Sequence, residues 1–361
     1  MINVSRPVLP PFEEFVERLR GIWASRQLTN DGPLVSELER GLAEFLGIKH
    51  AILVANGTIA IQFAVRAAQM HDSVVTTPFS YVATTSSIAW EGMSPVFADI
   101  DADSLTVNPE LVDALLSAGA TGVVATHVYG NPCDVEALAV LAERHRVPLI
   151  FDAAHAFGAM YNGRSVCSYG SAATLSFHAT KLFHTVEGGA VVTNDDTIAA
   201  AVRLMRNFGQ ARPDEISALG INGKNSEIHA AMGLCLLPHV ASFIRQRALL
   251  ARIYDDGMAA CASFAHPLQW RSGTVPNFSY YPIVFTEESL LLRCIELLSA
   301  NEIRARRYFR PSLSHLPFVR NAGATPVADS IADRVLCLPL YPDLEPDVAA
   351  EIVSLVQSSL A

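Results

Sequence analysis

The sequence predicts an α/β fold, with a mostly parallel central sheet flanked by helices and a smaller C-terminal α+β domain behind it. Three observations carry that expectation. From residue 51 onward, short apolar runs rich in β-branched residues alternate with stretches of helical periodicity. Half of the 361 residues are hydrophobic and 17% are charged, a globular composition with enough apolar surface for two cores. After about residue 250 the alternation stops, so the chain is expected to divide into residues 1–248 and 249–361.

Two helical stretches open the chain. In FEEFVERLRGIW the apolar positions Phe12, Phe15, Val16, Leu19, Ile22 and Trp23 recur at helical spacing. TNDGP makes a turn, and LVSELERGLAEFL follows. AILVAN then reads as a strand and GTIAIQFAVRAAQM as a helix. SVVTTP, YVATTSSIAWE and SPVFADI repeat strand, helix and strand. PELVDALLSAG and DVEALAVLAERH are the helices that alternate with the strands GVVATHV and PLIFDA. ATLSFH and GAVVT finish the sheet, and the helical stretches 197–209 and 226–254 come after it. In the second domain NFSYYPIVF and RVLCLPLYP read as strands. SLLLRCIELLSAN and VAAEIVSLVQSSL read as helices.

Net charge is −10, which argues against a broad surface for nucleic acid or anionic membrane. The six cysteines are scattered with no CxxC pair, the pattern of reduced thiols in a cytoplasmic protein. The first residues carry no apolar run of a secretion signal, and no stretch reads as long enough to span a membrane. A soluble cytoplasmic protein is expected.

In an open parallel sheet, ligands bind beyond the carboxyl ends of the strands. After the first strand comes Asn56-Gly57-Thr58 and a helix, either a place for a phosphate against free N–H groups or an ordinary capped turn. After the second comes Pro78-Phe79-Ser80-Tyr81, whose aromatic could stack on a heterocycle or pack in the core. After PLIF comes Asp152-Ala153-Ala154-His155, a strand-end acid that needs a partner or merely caps a helix. After ATLSF come Ser176, His178, Thr180 and Lys181, then Glu187-Gly188-Gly189, which could be a hairpin turn. One rim thus gathers a phosphate cradle, an aromatic, an acid and a lysine. Together they meet the needs of pyridoxal 5'-phosphate: an amine for its aldehyde, an acid for its ring nitrogen, and donors for its phosphate.

On these residues the chain resembles the fold-type I pyridoxal-phosphate transferases and, more narrowly, the DegT/DnrJ/EryC1/StrS family of nucleotide-sugar aminotransferases. The likeness runs through LTNDGPLVSELE (28–39), ANGTIAI (55–61), TTPFSYVATTSSI (76–88), HVYGNPCDVEAL (127–138), FDAAHAFGA (151–159), SFHATK…EGGAVVTND (176–195) and GINGKNSEIHAAMGL (220–234). It implies that Lys181 is the catalytic residue, bound to the cofactor and shuttling the proton, with the pyridoxamine (PMP) form as the intermediate carrier. It implies Asp152 against the ring nitrogen, Tyr81 stacked on the ring, and Gly57, Thr58 and Ser176 on the phosphate. His155 stands near the phenolic oxygen, where many members have Gln. Asn222 is at the position that reaches the phosphate of a neighbouring subunit, which implies a homodimer with shared active sites. Many members read GxNxRM where this chain reads GINGKN, so Lys224 keeps the positive charge without the guanidinium.

Members that aminate C-3 of the hexose tend to read PGKNLGALGDAG around the lysine, and those that aminate C-4 tend to read ATK…EGG, as Ala179-Thr180-Lys181 and Glu187-Gly188-Gly189 do. The resemblance therefore implies a nucleotide-linked keto sugar as partner, dTDP-4-keto-6-deoxyglucose above all, and L-glutamate as donor. GDP-4-keto-6-deoxymannose or a 3-keto sugar is the alternative acceptor, and a non-enzymatic regulatory protein the distant one. His184, Phe183, Lys224 and Tyr308 fall near segments that could touch sugar. The basic run 304–310 could face a diphosphate or lie in solvent.

Overall fold

The computed structural model describes residues 1–320 and 323–360. Its seven-stranded sheet is formed by β1 (His50–Val54), β2 (Ser73–Thr76), β3 (Ser94–Phe97), β4 (Val123–Thr126), β5 (Leu149–Asp152), β6 (Ala172–Ser176) and β7 (Gly189–Thr193), in the spatial order β1-β7-β6-β5-β4-β2-β3. The pairs β2–β3, β2–β4, β4–β5 and β5–β6 are parallel. β7 runs antiparallel to both β1 and β6, so the expected parallel sheet closes with one reversed strand.

That reversal has a topological consequence. A connection from β6 to an antiparallel neighbour turns round at the carboxyl end of β6. Residues 177–188 therefore stay on the rim where β2, β4 and β5 also end. β1 points the same way, because it too opposes β7. The segments after β1, β2, β5 and β6 all meet on that rim.

Strand residues alternate between two cores, as the pleat requires. Leu53, Val75, Phe151 and Ala173 enter one, covered by α2 (Pro33–Leu46), α5 (Pro109–Ser117), α6 (Val135–His145) and α8 (Glu227–Leu236). Ile52, Val74, Ile150 and Val191 enter the other, covered by α3 (Gly57–Ala67) and α7 (Asp196–Met205). α1 (Phe12–Ser25) forms where expected, but its apolar stripe is only partly covered within one chain. Ile22 is buried, Phe15, Val16 and Leu19 are half-buried, with Phe15 against the sheet's core, while Phe12 is 74% and Trp23 70% exposed.

The expected helical stretch 226–254 is broken. Pro238 lies in a 3-10 turn (Leu237–His239) that separates α8 from α9 (Val240–Met258). The combined run Glu227–Cys261 is also long and apolar enough to meet a membrane-span test, at mean hydropathy 1.4. This corrects the expectation that no stretch would do so. The run is a core helix, kinked and with 56% of its apolar window buried in the protein.

α9 gives Val240 and Phe243 to the sheet's core and Leu250, Ala251, Tyr254 and Met258 to another. The second core is completed by α10 (Glu288–Ala300), α12 (Pro346–Leu360) and an antiparallel sheet of β8 (Ala265–Pro267), β9 (Tyr281–Phe285) and β10 (Val335–Leu338). From this sharing of one helix we infer that the division at 248/249 falls inside α9. The two parts meet over the functional rim, where Phe79, Val128 and Tyr129 pack with Val284, Phe309 and Cys337. Asp99, just past β3, pins the contact by accepting the N–H groups of Val327 and Ala328 at 2.8 and 2.9 Å. Those donors open α11 (Pro326–Arg334).

Candidate active site

A cavity of about 430 Å³ opens on this rim, between the sheet and the C-terminal part. Gly57, Thr58, Tyr81, Asp152, His155, Ser176 and Lys181 all line it.

Gly57 is the first residue of α3, which Asn56 caps through its side chain to the Ile59 N–H at 2.9 Å. The N–H groups of Gly57 and Thr58 have no partner among the described residues, so the helix start presents donors and the positive end of its dipole to the cavity. The approach to β6 is close. A Cβ at position 57 would stand 2.8 Å from the Ser176 Cβ. Gly189 matters for the same reason, since a Cβ there would stand 2.6 Å from the Asn56 carbonyl oxygen. Glu187-Gly188-Gly189 is therefore no mere hairpin turn: it lets β7 pass directly against the cradle.

Asp152 ends β5 and is buried. Its Oδ2 accepts the Thr84 hydroxyl at 2.7 Å and its Oδ1 the Ala154 N–H at 3.1 Å. Thr84 in turn bonds Ser80 at 2.9 Å, and Thr126 donates to Ser80 at 3.2 Å. Because a carboxylate only accepts, the Thr84 proton points at Asp152. The Ser80 proton then points at Thr84, so the chain of hydroxyls runs one way. Burial raises the Asp152 pKa, opposed by the bonds from Thr84 and Ala154 and by the Lys181 charge. A cation placed beside it would drive it to the ionised form.

Lys181 sits in the loop between β6 and β7, whose neck is closed by Phe177 N–H to Gly188 O and Thr185 N–H to Phe177 O. Its Nζ is 3.3 Å from the Tyr280 hydroxyl. Burial lowers its pKa below the ordinary value, with Asp152 acting the other way.

His155 is buried, stacked on Phe309 at 5.3 Å and edge-on to Tyr280 at 5.0 Å. Its Nδ1 accepts the Tyr129 N–H at 3.3 Å. Burial holds the imidazole pKa well below its usual value. A neutral ring that accepts at Nδ1 must carry its proton on Nε2, where it can donate. Tyr81 caps α4 (Val82–Trp90) and is 56% exposed, an aromatic face open to the cavity.

Other expected residues lie elsewhere. Asn222 is exposed, paired to Asn207, and does not line its own chain's cavity. Phe183 is core, packed against Phe157 and Phe177. His184 bonds the Val8 carbonyl at 2.8 Å, and Lys224 bonds Asn207 at 3.1 Å. Of the four residues considered for sugar contact, only Tyr308 lines the cavity. The basic run is split: Arg307 and Arg310 pair with Glu288 and Asp333, whereas Arg306 reaches the cavity.

Sequence reasoning missed Tyr280, Phe309, and the role of Ser80, Thr84 and Thr126. Tyr280 was absorbed into a strand that begins one residue later, at Tyr281. The hydroxyls of Ser80 and Thr84 carried a signal in the Thr- and Ser-rich stretch 76–87, but only the placement of α4 and the pairing of β4 with β5 bring them and Thr126 to Asp152.

The sequence model of the DegT/DnrJ/EryC1/StrS aminotransferase family matches residues 12–357. The chain is 39% identical over 362 residues to a dTDP-4-amino-4,6-dideoxy-D-glucose transaminase of Shigella dysenteriae, covering 99% of this chain and 98% of that protein. It is 31% identical to a GDP-perosamine synthase of Vibrio cholerae, over 98% of both. Among solved structures, DesI in the presence of its TDP-sugar product superposes with a TM-score of 0.94 at 33% identity, over 99% of this chain and 93% of that one.

Proposed function

Because the chain belongs to the DegT/DnrJ/EryC1/StrS aminotransferase family, we propose that it moves the amino group of L-glutamate to the C-4 ketone of a nucleotide-linked 4-keto-6-deoxy sugar, dTDP-4-keto-6-deoxyglucose first among them. It is an enzyme, an aminotransferase, and its cofactor is pyridoxal phosphate. The observation that carries the reading is the meeting of Lys181 and Asp152 in one cavity of a chain so similar to a sugar transaminase along its whole length.

The residues suit that cofactor. A phosphate monoester needs N–H and hydroxyl donors, and the start of α3 with Thr58 and Ser176 offers both in the gap that Gly57 leaves open. A protonated ring nitrogen needs a fixed anion, which Thr84 and Ala154 make of Asp152. An aldehyde needs an amine, and among the described residues Lys181 is the one lysine lining the cavity.

When bound, pyridoxal phosphate supplies the electron sink that lets the donor's Cα–H bond break and its amino group pass on. The chain's residues do the rest. Lys181 Nζ takes the proton from Cα, which requires the neutral amine, and burial lowers the pKa in that direction. The Tyr280 hydroxyl holds Nζ in place. With the cofactor bound, Asp152 would hold the ring-nitrogen proton, His155 would offer its Nε2–H to the phenolic oxygen, and Tyr81 would offer its face to the ring.

Two copies complete one another in this reading. Asn222 serves the neighbouring subunit's phosphate, in keeping with its place outside its own cavity, and the exposed Phe12 and Trp23 of α1 have a partner to cover them. The Ala179-Thr180-Lys181 and Glu187-Gly188-Gly189 stretches favour C-4 over C-3. A GDP-linked 4-keto sugar is the second reading, favoured by the likeness to GDP-perosamine synthase. We place the enzyme in the cytoplasm, in dideoxy amino sugar biosynthesis of the kind that feeds lipopolysaccharide O-antigen.

Purified with pyridoxal phosphate, the protein is expected to be yellow, with a band that shifts when L-glutamate is added. A protein that stays colourless with added cofactor would sink the reading.

A further inference from the structure

We propose that Arg306 is the oxyanion-binding residue of the substrate half of this cavity, and that the oxyanion it receives is the diphosphate of the sugar nucleotide. The inference rests on the functional reading above and assigns a residue to it.

The local sequence offers three arginines in a row of five, and the fold treats them differently. Arg307 and Arg310 are neutralised by Glu288 and Asp333 on the outer side. Arg306 lines the cavity and has no acid within ion-pair distance among the described residues. Its placement is fixed. Its backbone exchanges two hydrogen bonds with Cys337, at 3.1 Å from its N–H and 2.8 Å to its carbonyl, which ties it to the buried strand β10. Its guanidinium stands 5.0 Å over the ring of Tyr308. Tyr308 is held in turn, its carbonyl accepting the Tyr129 hydroxyl. Arg306 is exposed, yet its guanidinium is laid on an aromatic plane above a cavity, in a chain of net charge −10.

Both substrates enter this cavity in turn, and both are anions. The contacts around Lys181 bear on the choice. Lys181 Nζ lies 5.9 Å from the Tyr280 ring centre, the Tyr280 and Tyr308 rings are 5.6 Å apart, and the Arg306 guanidinium lies 5.0 Å from the Tyr308 ring centre. The reacting amine bonds Tyr280, not Arg306, and the guanidinium rests on a different ring. The carboxylate of an α-amino acid is bonded to the reacting carbon itself. The diphosphate of a 4-keto sugar hangs from C-1, across the ring from the ketone. A guanidinium that rests on a neighbouring ring, and not against the amine, suits the group that hangs from C-1.

The test uses the cofactor-loaded enzyme and the variants Arg306→Gln and Arg306→Lys. Affinity for dTDP is measured by calorimetry, and the glutamate and keto-sugar half-reactions are followed separately by absorbance. The expected result for Arg306→Gln is about a ten- to hundred-fold loss of dTDP affinity and of kcat/KM for the nucleotide sugar, with the glutamate half-reaction unchanged. Arg306→Lys, which keeps the charge but not the fork, is expected to fall between. Unchanged dTDP affinity overturns the proposal, and so does a loss confined to the glutamate half-reaction. If the wild-type enzyme accepts glutamate but converts no nucleotide-linked keto sugar, the functional reading fails, and dTDP affinity still decides the role of Arg306.

Discussion

Replacing Thr84 by Val isolates the least visible part of the site. The change keeps the shape of the side chain and removes the hydroxyl that donates to Asp152 Oδ2 at 2.7 Å. A hydrogen bond to a charged group contributes roughly 1.5–3 kcal/mol. The loss therefore raises the Asp152 pKa further. The sign follows because the bond favours the ionised carboxylate, whose pKa burial already raises. The Ala154 N–H remains, so the carboxylate is weakened, not orphaned. A weaker anion holds the ring-nitrogen proton less firmly. In a pH titration of the cofactor's absorbance, the acid-side transition of Thr84→Val is expected to move up in pH. The glutamate half-reaction is expected to slow by about ten- to a hundred-fold. Thr84→Ser should behave as wild type in both, since it keeps the hydroxyl. A folded Thr84→Val protein with an unmoved titration and an unchanged rate would refute the claim that the hydroxyl chain sets the state of Asp152.

Three further outcomes are expected. Lys181→Ala should abolish turnover while still binding pyridoxal phosphate without a covalent bond, read as loss of activity with the cofactor removable by gel filtration. In cofactor-free protein, the rate at which added pyridoxal phosphate is captured should rise with pH as Lys181 loses its proton; the midpoint should lie below the ordinary lysine value of about 10.4, since burial penalises the ammonium, and a midpoint at or above that value would contradict the lowered pKa. Mixed under conditions that allow subunits to exchange, Lys181→Ala and Asn222→Ala proteins should regain activity that neither has alone, because one site of the mixed dimer then holds both native residues; no recovery despite demonstrated exchange would argue against shared sites.

Much of this site was legible in the sequence because its parts sit at strand ends, and strand ends can be found from periodicity alone. Gly57, Tyr81, Asp152, Ser176 and Lys181 each follow an apolar run, and the sheet brings them to one rim. The reversed strand β7 was not legible as such. An apolar strand reads the same in either direction, and only pairing with β1 and β6 sets its sense. Tyr280 and Phe309 were illegible for another reason, and Arg306 was legible only as one of a basic run that could face a diphosphate or lie in solvent. They come from a second folding unit, and their relevance depends on how that unit docks over the rim through Phe79, Tyr129 and Cys337. The half-covered stripe of α1, with Phe12 and Trp23 exposed, shows the opposite failure. Its periodicity was right for a helix, but periodicity does not say whether the apolar face meets its own core or another chain.

The most direct test of the central claim is to follow the amine. Enzyme converted by L-glutamate to its amino form is freed of excess donor, given dTDP-4-keto-6-deoxyglucose, and the sugar product is examined by NMR. The account predicts return of the cofactor's original absorbance and a nitrogen on C-4 of the hexose. Nitrogen on C-3, or an amino-form enzyme that no nucleotide-linked 4-keto sugar can discharge, would contradict it.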